Sequence, residues 1–235
     1  MRYTRDSIRA DLKRLGVSWD WAGDKPTAMR ADVKARLTAA GGSGDAGPFD
    51  EIAEYCWFAY EKAVHSQGHL VIGRVPDLNA AGLYSKVGEI LYTKVGDVEK
   101  ETTTMFDASS EGNLLKVDKW ARVVNDSWVL GGVHRHGLFR LASPRVMKNL
   151  WNENGYFVVT ARELLGLLNF GYQVEQVGPW QVLSCKNTQI ASAADLIKYD
   201  QLIKSGQTLG EAQRLQDTVG SSARAQEQVS SFFSG

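Results

Sequence analysis

Between His69 and Cys185, short apolar runs alternate with stretches of helical periodicity, and this alternation constrains the fold more than any other feature of the chain. The candidate strands cover residues 70–75, 89–93, 138–142, 156–159 and 181–184. Helical patterns fall between them at 78–87, 118–136, 144–154 and 161–170. Strands separated by helices require crossover connections, which are right-handed in parallel sheets. The expected core is therefore α/β, with a mainly parallel, Rossmann-like sheet and flanking helices. Residues 93–113, rich in Thr, Gly, Ser and Asp, are the poorest in periodicity and read as a flap.

The flanks read differently. Ile8, Leu12 and Leu15 recur at helical spacing after Thr4, with Arg5, Arg9, Lys13 and Arg14 on the other faces, so residues 4–15 predict a short basic amphipathic helix. Gly16-Val17-Ser18 ends it, and residues 27–37 predict a second helix. Gly41 to Pro48 is the clearest linker, because glycine frees the backbone and proline stops regular structure. The expected organisation is an N-terminal helical segment over 1–40, a linker over 41–48, an α/β core over 49–190, and C-terminal helices with a polar tail over 191–235. Within the core, Ile52, Cys56, Trp57, Tyr60 and Val64 predict a buried helix over 49–66. Residues 191–203 and 208–219 predict the last two helices.

Composition narrows the partners. The chain has 235 residues, with 27 Lys+Arg balanced by 27 Asp+Glu, so no global field draws it to nucleic acid or an anionic membrane. Seven Trp residues and 43% hydrophobic residues supply an ordinary globular core. Cys56 and Cys185 permit at most one disulfide and have no zinc-finger spacing. No run approaches the about 18 uninterrupted apolar residues of a membrane span. The start, Met1-Arg2-Tyr3-Thr4-Arg5-Asp6, lacks a standard secretory signal. The expectation is synthesis in the cytoplasm, with export by a route needing no cleaved signal left open.

Three expected strand ends share one pattern. Asp77 follows the first run, Ser143-Pro144 follows the third, and Thr160-Ala161-Arg162-Glu163 has capping-box spacing after the fourth. In a parallel sheet such turns gather at the carboxyl edge, where ligands bind. Each turn also carries an arginine: Arg74, Arg145 and Arg162. A cation in a first helical turn opposes the helix dipole by about 0.3–1 kcal/mol, so helix stability does not explain Arg145 or Arg162. A phosphate or carboxylate held by helix N-termini and guanidinium groups would. The competing account pairs these arginines with nearby acids. Glu163 is likewise either the capping carboxylate or a carboxylate of the anion site.

The strand-end run Gly73-Arg74-Val75-Pro76-Asp77 lacks the Gly-x-Gly-x-x-Gly dinucleotide fingerprint, and Gly-x-x-x-x-Gly-Lys-Ser/Thr occurs nowhere, so the standard Rossmann dehydrogenase and P-loop readings lose ground. No Gly-x-Ser-x-Gly elbow occurs. The four histidines form two close pairs, His65/His69 and His134/His136, each at an expected helix end. Such placement suits a histidine without metal, and no metal or cofactor is expected. His134 is the acid/base candidate. Asp126 and Trp128 lie in the same expected helix, where a tryptophan usually belongs to the core.

The order His69-Leu70-Val71-Ile72-Gly73-Arg74, Val124-Asn125-Asp126-Ser127-Trp128-Val129-Leu130-Gly131-Gly132, Phe139-Arg140-Leu141-Ala142-Ser143-Pro144, Asn149-Leu150-Trp151 and Val158-Val159-Thr160-Ala161-Arg162-Glu163 resembles C-terminal toxin modules of bacterial polymorphic toxins of the Rhs type. The likeness covers about residues 69–172. It implies an antibacterial effector, delivered into target cells and countered by an immunity protein. It assigns no catalytic residues.

Together these readings predict an effector acting on a phosphate-bearing substrate, a nucleotide such as NAD or nucleic acid. Arg74, Ser143, Arg145, Thr160 and Arg162 would bind the anion. Asp77, Glu163 and His134 would carry the chemistry. Two other classes remain open: a binding or protein-interaction module without turnover, and a DNA-binding accessory protein using the basic N-terminal helices.

Overall fold

The computed structural model describes residues 3–17, 38–39, 48–66, 68–74, 76–77, 122–177 and 180–216. The expected elements at 27–37, 78–87 and 89–93, the 93–113 flap, most of the linker and the polar tail lie outside these residues.

Helix α1 (Arg5–Arg14) starts where Thr4 accepts a hydrogen bond from the Ser7 N–H (3.1 Å). It stops at Gly16 (φ +67°), whose N–H bonds Lys13 O (3.1 Å) while the Val17 N–H bonds Leu12 O (2.9 Å). These paired bonds close the last turn and satisfy its carbonyls, and the positive φ favours glycine at that position. Ile8 and Leu12 bury against α2 (Pro48–Val64), where Arg5 pairs with Glu54 and Arg9 with Asp50. Two of the basic side chains expected to serve a nucleic-acid face are thus engaged with α2.

Among the described residues, the most extensive helix pair is α2 with α3 (Arg122–His134). A Cβ at Gly131 would lie 2.4 Å from Tyr60 O and 2.9 Å from Ala63 Cβ, so the glycine permits this backbone approach. Strand β1 (Leu70–Ile72) precedes α3, and β2 (Phe139–Leu141) follows it. Trp128 packs edge-on against Phe139, with ring centroids 6.1 Å apart. After β2 come α4 (Met147–Leu150), α5 (Val159–Asn169), β3 (Tyr172–Val177) and β4 (Trp180–Cys185). Helices α6 (Thr188–Ser192), α7 (Leu196–Gly206) and α8 (Leu209–Leu215) complete the described chain. They are capped by Asn187, Asp195 and Thr208 respectively.

The sheet overturns the expectation of a mainly parallel, Rossmann-like core. Its order is β1-β2-β4-β3, and β1 with β2 is its single parallel pair among the described residues. Strand β4 runs antiparallel to both β2 and β3. Two physical causes account for the change. Residues 156–159 form no strand: Phe157 makes one isolated bridge to Trp151, and Val159 already opens α5. A four-residue apolar run fits a strand or a buried helix start equally well. Tyr172–Val177, polar at Gln173, Glu175 and Gln176, instead supplies the outer strand of a hairpin with β4. The architecture is α/β, with eight helices and a small mixed sheet among the described residues.

One core cluster runs from Ile8 and Leu12 through Trp128, Phe139 and Leu164 to Ile203 and Leu215. The other face of the sheet buries Arg140, whose guanidinium lies 5.8 Å from the Trp180 ring centroid.

Candidate functional site

The parallel pair ends at Ile72 and Leu141, and the chain leaving each strand supplies polar side chains to the same edge. Gly73 (φ +156°) lets the two exits come close: its Cβ, if present, would lie 3.1 Å from both Ala142 Cβ and Ser143 Oγ. Buried Ser143 Oγ accepts from the Arg74 backbone N–H (2.7 Å) and donates to Asp77 Oδ2 (2.5 Å). The Asp77 N–H bonds back to Arg74 O (3.0 Å), which closes the turn carrying both charges. Arg74 Nη1 donates to Asn149 Oδ1, and Asn149 Nδ2 is itself fixed on Pro144 O (2.9 Å).

Arg74 and Asp77 make no ion pair with each other. The guanidinium is drawn to a neutral amide and the carboxylate to a neutral hydroxyl. Asn149 and Ser143 are each 3% exposed, whereas the two charged residues they hold are partly accessible. Two opposite charges three residues apart and close to solvent ordinarily lower their energy by pairing. Here each charge is held by a buried neutral partner through one atom, which leaves the other donors of Arg74 and Oδ1 of Asp77 uncommitted among the described residues.

Behind this edge lies a second polar group, built from the N-terminal halves of α3 and α5. The carboxyl-terminal part of α3 sits at the start of the strands, since a Cβ on Gly132 would meet Leu70 Cδ1 at 2.3 Å and Phe139 Cζ at 2.4 Å. Its N-terminal half therefore points toward the strands' carboxyl end. Helix α5 runs into β3, which is parallel to β2 through their shared antiparallel neighbour β4, so α5 also starts at that end. Arg162 Nη2 donates to Asp126 Oδ2 (3.1 Å), and Tyr199 Oη donates to Arg162 O (3.3 Å). Burial pushes Asp126 up to about 6, against the opposing pull of Arg162. Glu163 is pushed up to about 8, chiefly by burial, although a side-chain hydrogen bond with Asn125 acts the other way.

The sequence-predicted residues thus divide. Arg74, Asp77 and Ser143 meet at the carboxyl edge. Arg162 and Glu163 lie buried among helices, and Thr160 is buried beside them. The expected capping box is absent: Val158 occupies the N-cap of α5 without a side-chain bond. Arg145 donates from Nε to Gln181 Oε1 (2.9 Å) and from Nη1 to Leu215 O (3.4 Å), tying the loop after β2 to β4 and α8. His134 sits at the opposite end of α3. It lies between Tyr60 Oη (2.8 Å from Nδ1) and Ala194 O (2.9 Å from Nε2). The carbonyl requires a proton on Nε2, so Nδ1 accepts from Tyr60, and burial holds the histidine below its usual range.

Sequence reasoning missed Asn149, Asn125 and Tyr199 as members of these networks. For Asn149 the only signal was a polar residue beside Leu150 and Trp151 in an apolar stretch.

A cleft of about 600 Å³ lies elsewhere, at the far end of α5, lined by Phe170, Ile190, Leu202 and Lys198 among others. Its lysine donates to Ala193 O (2.6 Å). Among the described residues, no three of His, Cys, Asp and Glu are grouped so as to hold a metal, and no helix is long and apolar enough to cross a membrane. Comparison of the chain with protein-family models, curated proteins and solved structures finds no match.

Proposed function

We propose that the chain is a bacterial effector domain that binds and acts on a phosphate-bearing substrate, a nucleotide or nucleic acid, at the carboxyl edge of β1 and β2. The observation that carries this reading is the separation of Arg74 from Asp77 by Asn149 and Ser143. A cation kept from its natural counter-ion, partly accessible at a strand-end turn, is arranged to receive an anion from outside. Asp77, beside it, is the carboxylate placed to accept a proton or a hydrogen bond from the bound substrate. Arg145 and Arg162 hold the fold around this edge. The likeness of residues 69–172 to Rhs-type toxin modules supports the effector role and an immunity protein as partner.

The test is inducible expression in bacterial cytoplasm of wild type, Arg74→Ala and Asp77→Asn, with nucleotide pools extracted from the same cultures. Growth arrest and a depleted pool with wild type, both relieved by either substitution in soluble folded protein, are expected. Normal growth with unchanged pools would leave a binding module without turnover. Toxicity undiminished in both variants would remove this edge as the site.

A further inference from the structure

The turn from Arg74 to Asp77 offers a ligand two different kinds of atom. Arg74 has Nη1 committed to Asn149, and its other guanidinium N–H groups remain as donors. Asp77 has Oδ2 committed to Ser143, and Oδ1 remains as an acceptor. A bare phosphate satisfies only the first and is repelled by the second, because like charges at close range raise each other's energy. A ligand that meets both must join an anion to hydroxyl donors within the reach of one turn, with each group on its own side. A deoxyribose phosphate leaves part of that acceptor capacity unmet. In the interior of an RNA strand, the 3′ oxygen is esterified and the diol is lost.

We propose that this edge is a ribose-phosphate site selecting free ribonucleotides, with Arg74 holding the phosphate and the open Oδ1 of Asp77 accepting from the sugar's cis-diol. The proposal rests on the anion-site reading above and names the ligand that site takes. Ser143 and Asn149 act as positioning residues: each is buried, each is neutral, and each turns one charge away from the other. A hydroxyl hydrogen-bonded to a charged acceptor discriminates against the analogue that lacks it where the bound sugar itself covers that acceptor from water.

The experiment titrates ribose 5-phosphate, 2-deoxyribose 5-phosphate and inorganic phosphate into the ¹⁵N-labelled full chain, following the amides of Gly73 and Arg74. Wild type is expected to bind the ribose compound at least about tenfold more tightly than the deoxy compound. In Asp77→Ala the two sugars should bind alike, and in Arg74→Ala both should weaken. Equal binding of the two sugars by wild type, lost in Arg74→Ala, would overturn the ribose assignment while leaving the anion site in place. No binding of any of the three probes to wild type would remove the anion site itself, and the ribose assignment with it. The sugar comparison on wild type needs no variant, so a misfolded substitution does not blunt it.

Discussion

Arg162 Nη2 donates to both carboxylate oxygens of Asp126, at 3.1 Å to Oδ2 and 3.4 Å to Oδ1, with both side chains nearly sealed from solvent between α5 and α3. Removing one partner of such a pair leaves the other as an uncompensated buried charge. Arg162→Ala is therefore expected to destabilise the fold by about 3–5 kcal/mol, measured by denaturant unfolding. Replacing both partners with leucine should recover much of that loss, because an apolar pair of similar volume has no charge to desolvate. A midpoint unchanged in the single variant would show that the pair does not hold the helices. Activity lost in Arg162→Ala thus reads out folding and says nothing about anion binding.

Glu163 gives this helix interface a pH dependence. Burial raises its carboxyl from an ordinary 4.5 to about 8, so between those values the folded chain keeps a proton that the unfolded chain has released. Stability is complete below the lower value and falls as pH rises through the upper one. Asp126, raised to about 6, acts in the same direction but has finished titrating by then. His134, held below its usual 6.5, acts oppositely, with stability lost as pH falls. The window from about pH 7 to 8 therefore belongs mainly to Glu163. Wild type should lose up to about 1.4 kcal/mol per pH unit there. Glu163→Gln, which resembles the protonated side chain and can still bond Asn125, should be nearly flat. Equal slopes in the two proteins would refute the assignment.

The legible part of this fold was the part set by local chemistry. Thr4, the spacing of Ile8 and Leu12, and Gly16 each determine their own turn, and α1 forms where they place it. The apolar runs at Leu70–Ile72 and Phe139–Leu141 likewise became the parallel pair, and the turns after them meet at one edge. What stayed hidden depends on partners remote in sequence. Tyr172–Val177 is polar on alternate and adjacent positions because it is an outer strand, and Gly178-Pro179 was its only turn signal. Arg162 and Glu163 have surface composition and a capping-box spacing. Their burial follows from Asp126 and Asn125, more than 35 residues away, and from α7 packing over them. Asn149 is read as a ligand to Arg74 only when β1 and β2 lie side by side.

Ser143 joins stability to the proposed site. Its hydroxyl satisfies the Arg74 N–H and anchors Asp77, so Ser143→Ala deprives a part-buried backbone donor of its acceptor and frees the carboxylate to swing toward Arg74. The stability loss is expected at about 1–3 kcal/mol. Ribose 5-phosphate should bind more weakly even where the variant remains folded, because the guanidinium then has an internal counter-ion. Ser143→Thr keeps the hydroxyl and should recover binding if the added methyl is accommodated. Binding of ribose 5-phosphate unaltered in folded Ser143→Ala would show that the hydroxyl does not keep the charges apart.

Gly131 tests whether close helix approach is what seats α3 behind that edge. Alanine is the better helix former by about 1 kcal/mol, so propensity alone predicts that Gly131→Ala stabilises. Packing predicts the reverse. The new Cβ would lie 2.4 Å from Tyr60 O, a backbone atom that cannot rotate away, and 2.9 Å from Ala63 Cβ, so α2 and α3 must separate. Overpacking of this kind costs about 1–3 kcal/mol or more, and backbone contact places this site at the upper end. The shift would also move Tyr60 Oη from His134 Nδ1, loosening the link through Ala194 to the segment before α7. The expected result is a net loss of about 1–2 kcal/mol in denaturant unfolding, the clash exceeding the propensity gain. At Gly132 the nearest atoms are the side-chain ends Leu70 Cδ1 and Phe139 Cζ, which can turn aside, so Gly132→Ala should cost less. A stabilised Gly131→Ala, or the opposite ranking of the two, would show that the α2–α3 distance does not govern the seating of α3.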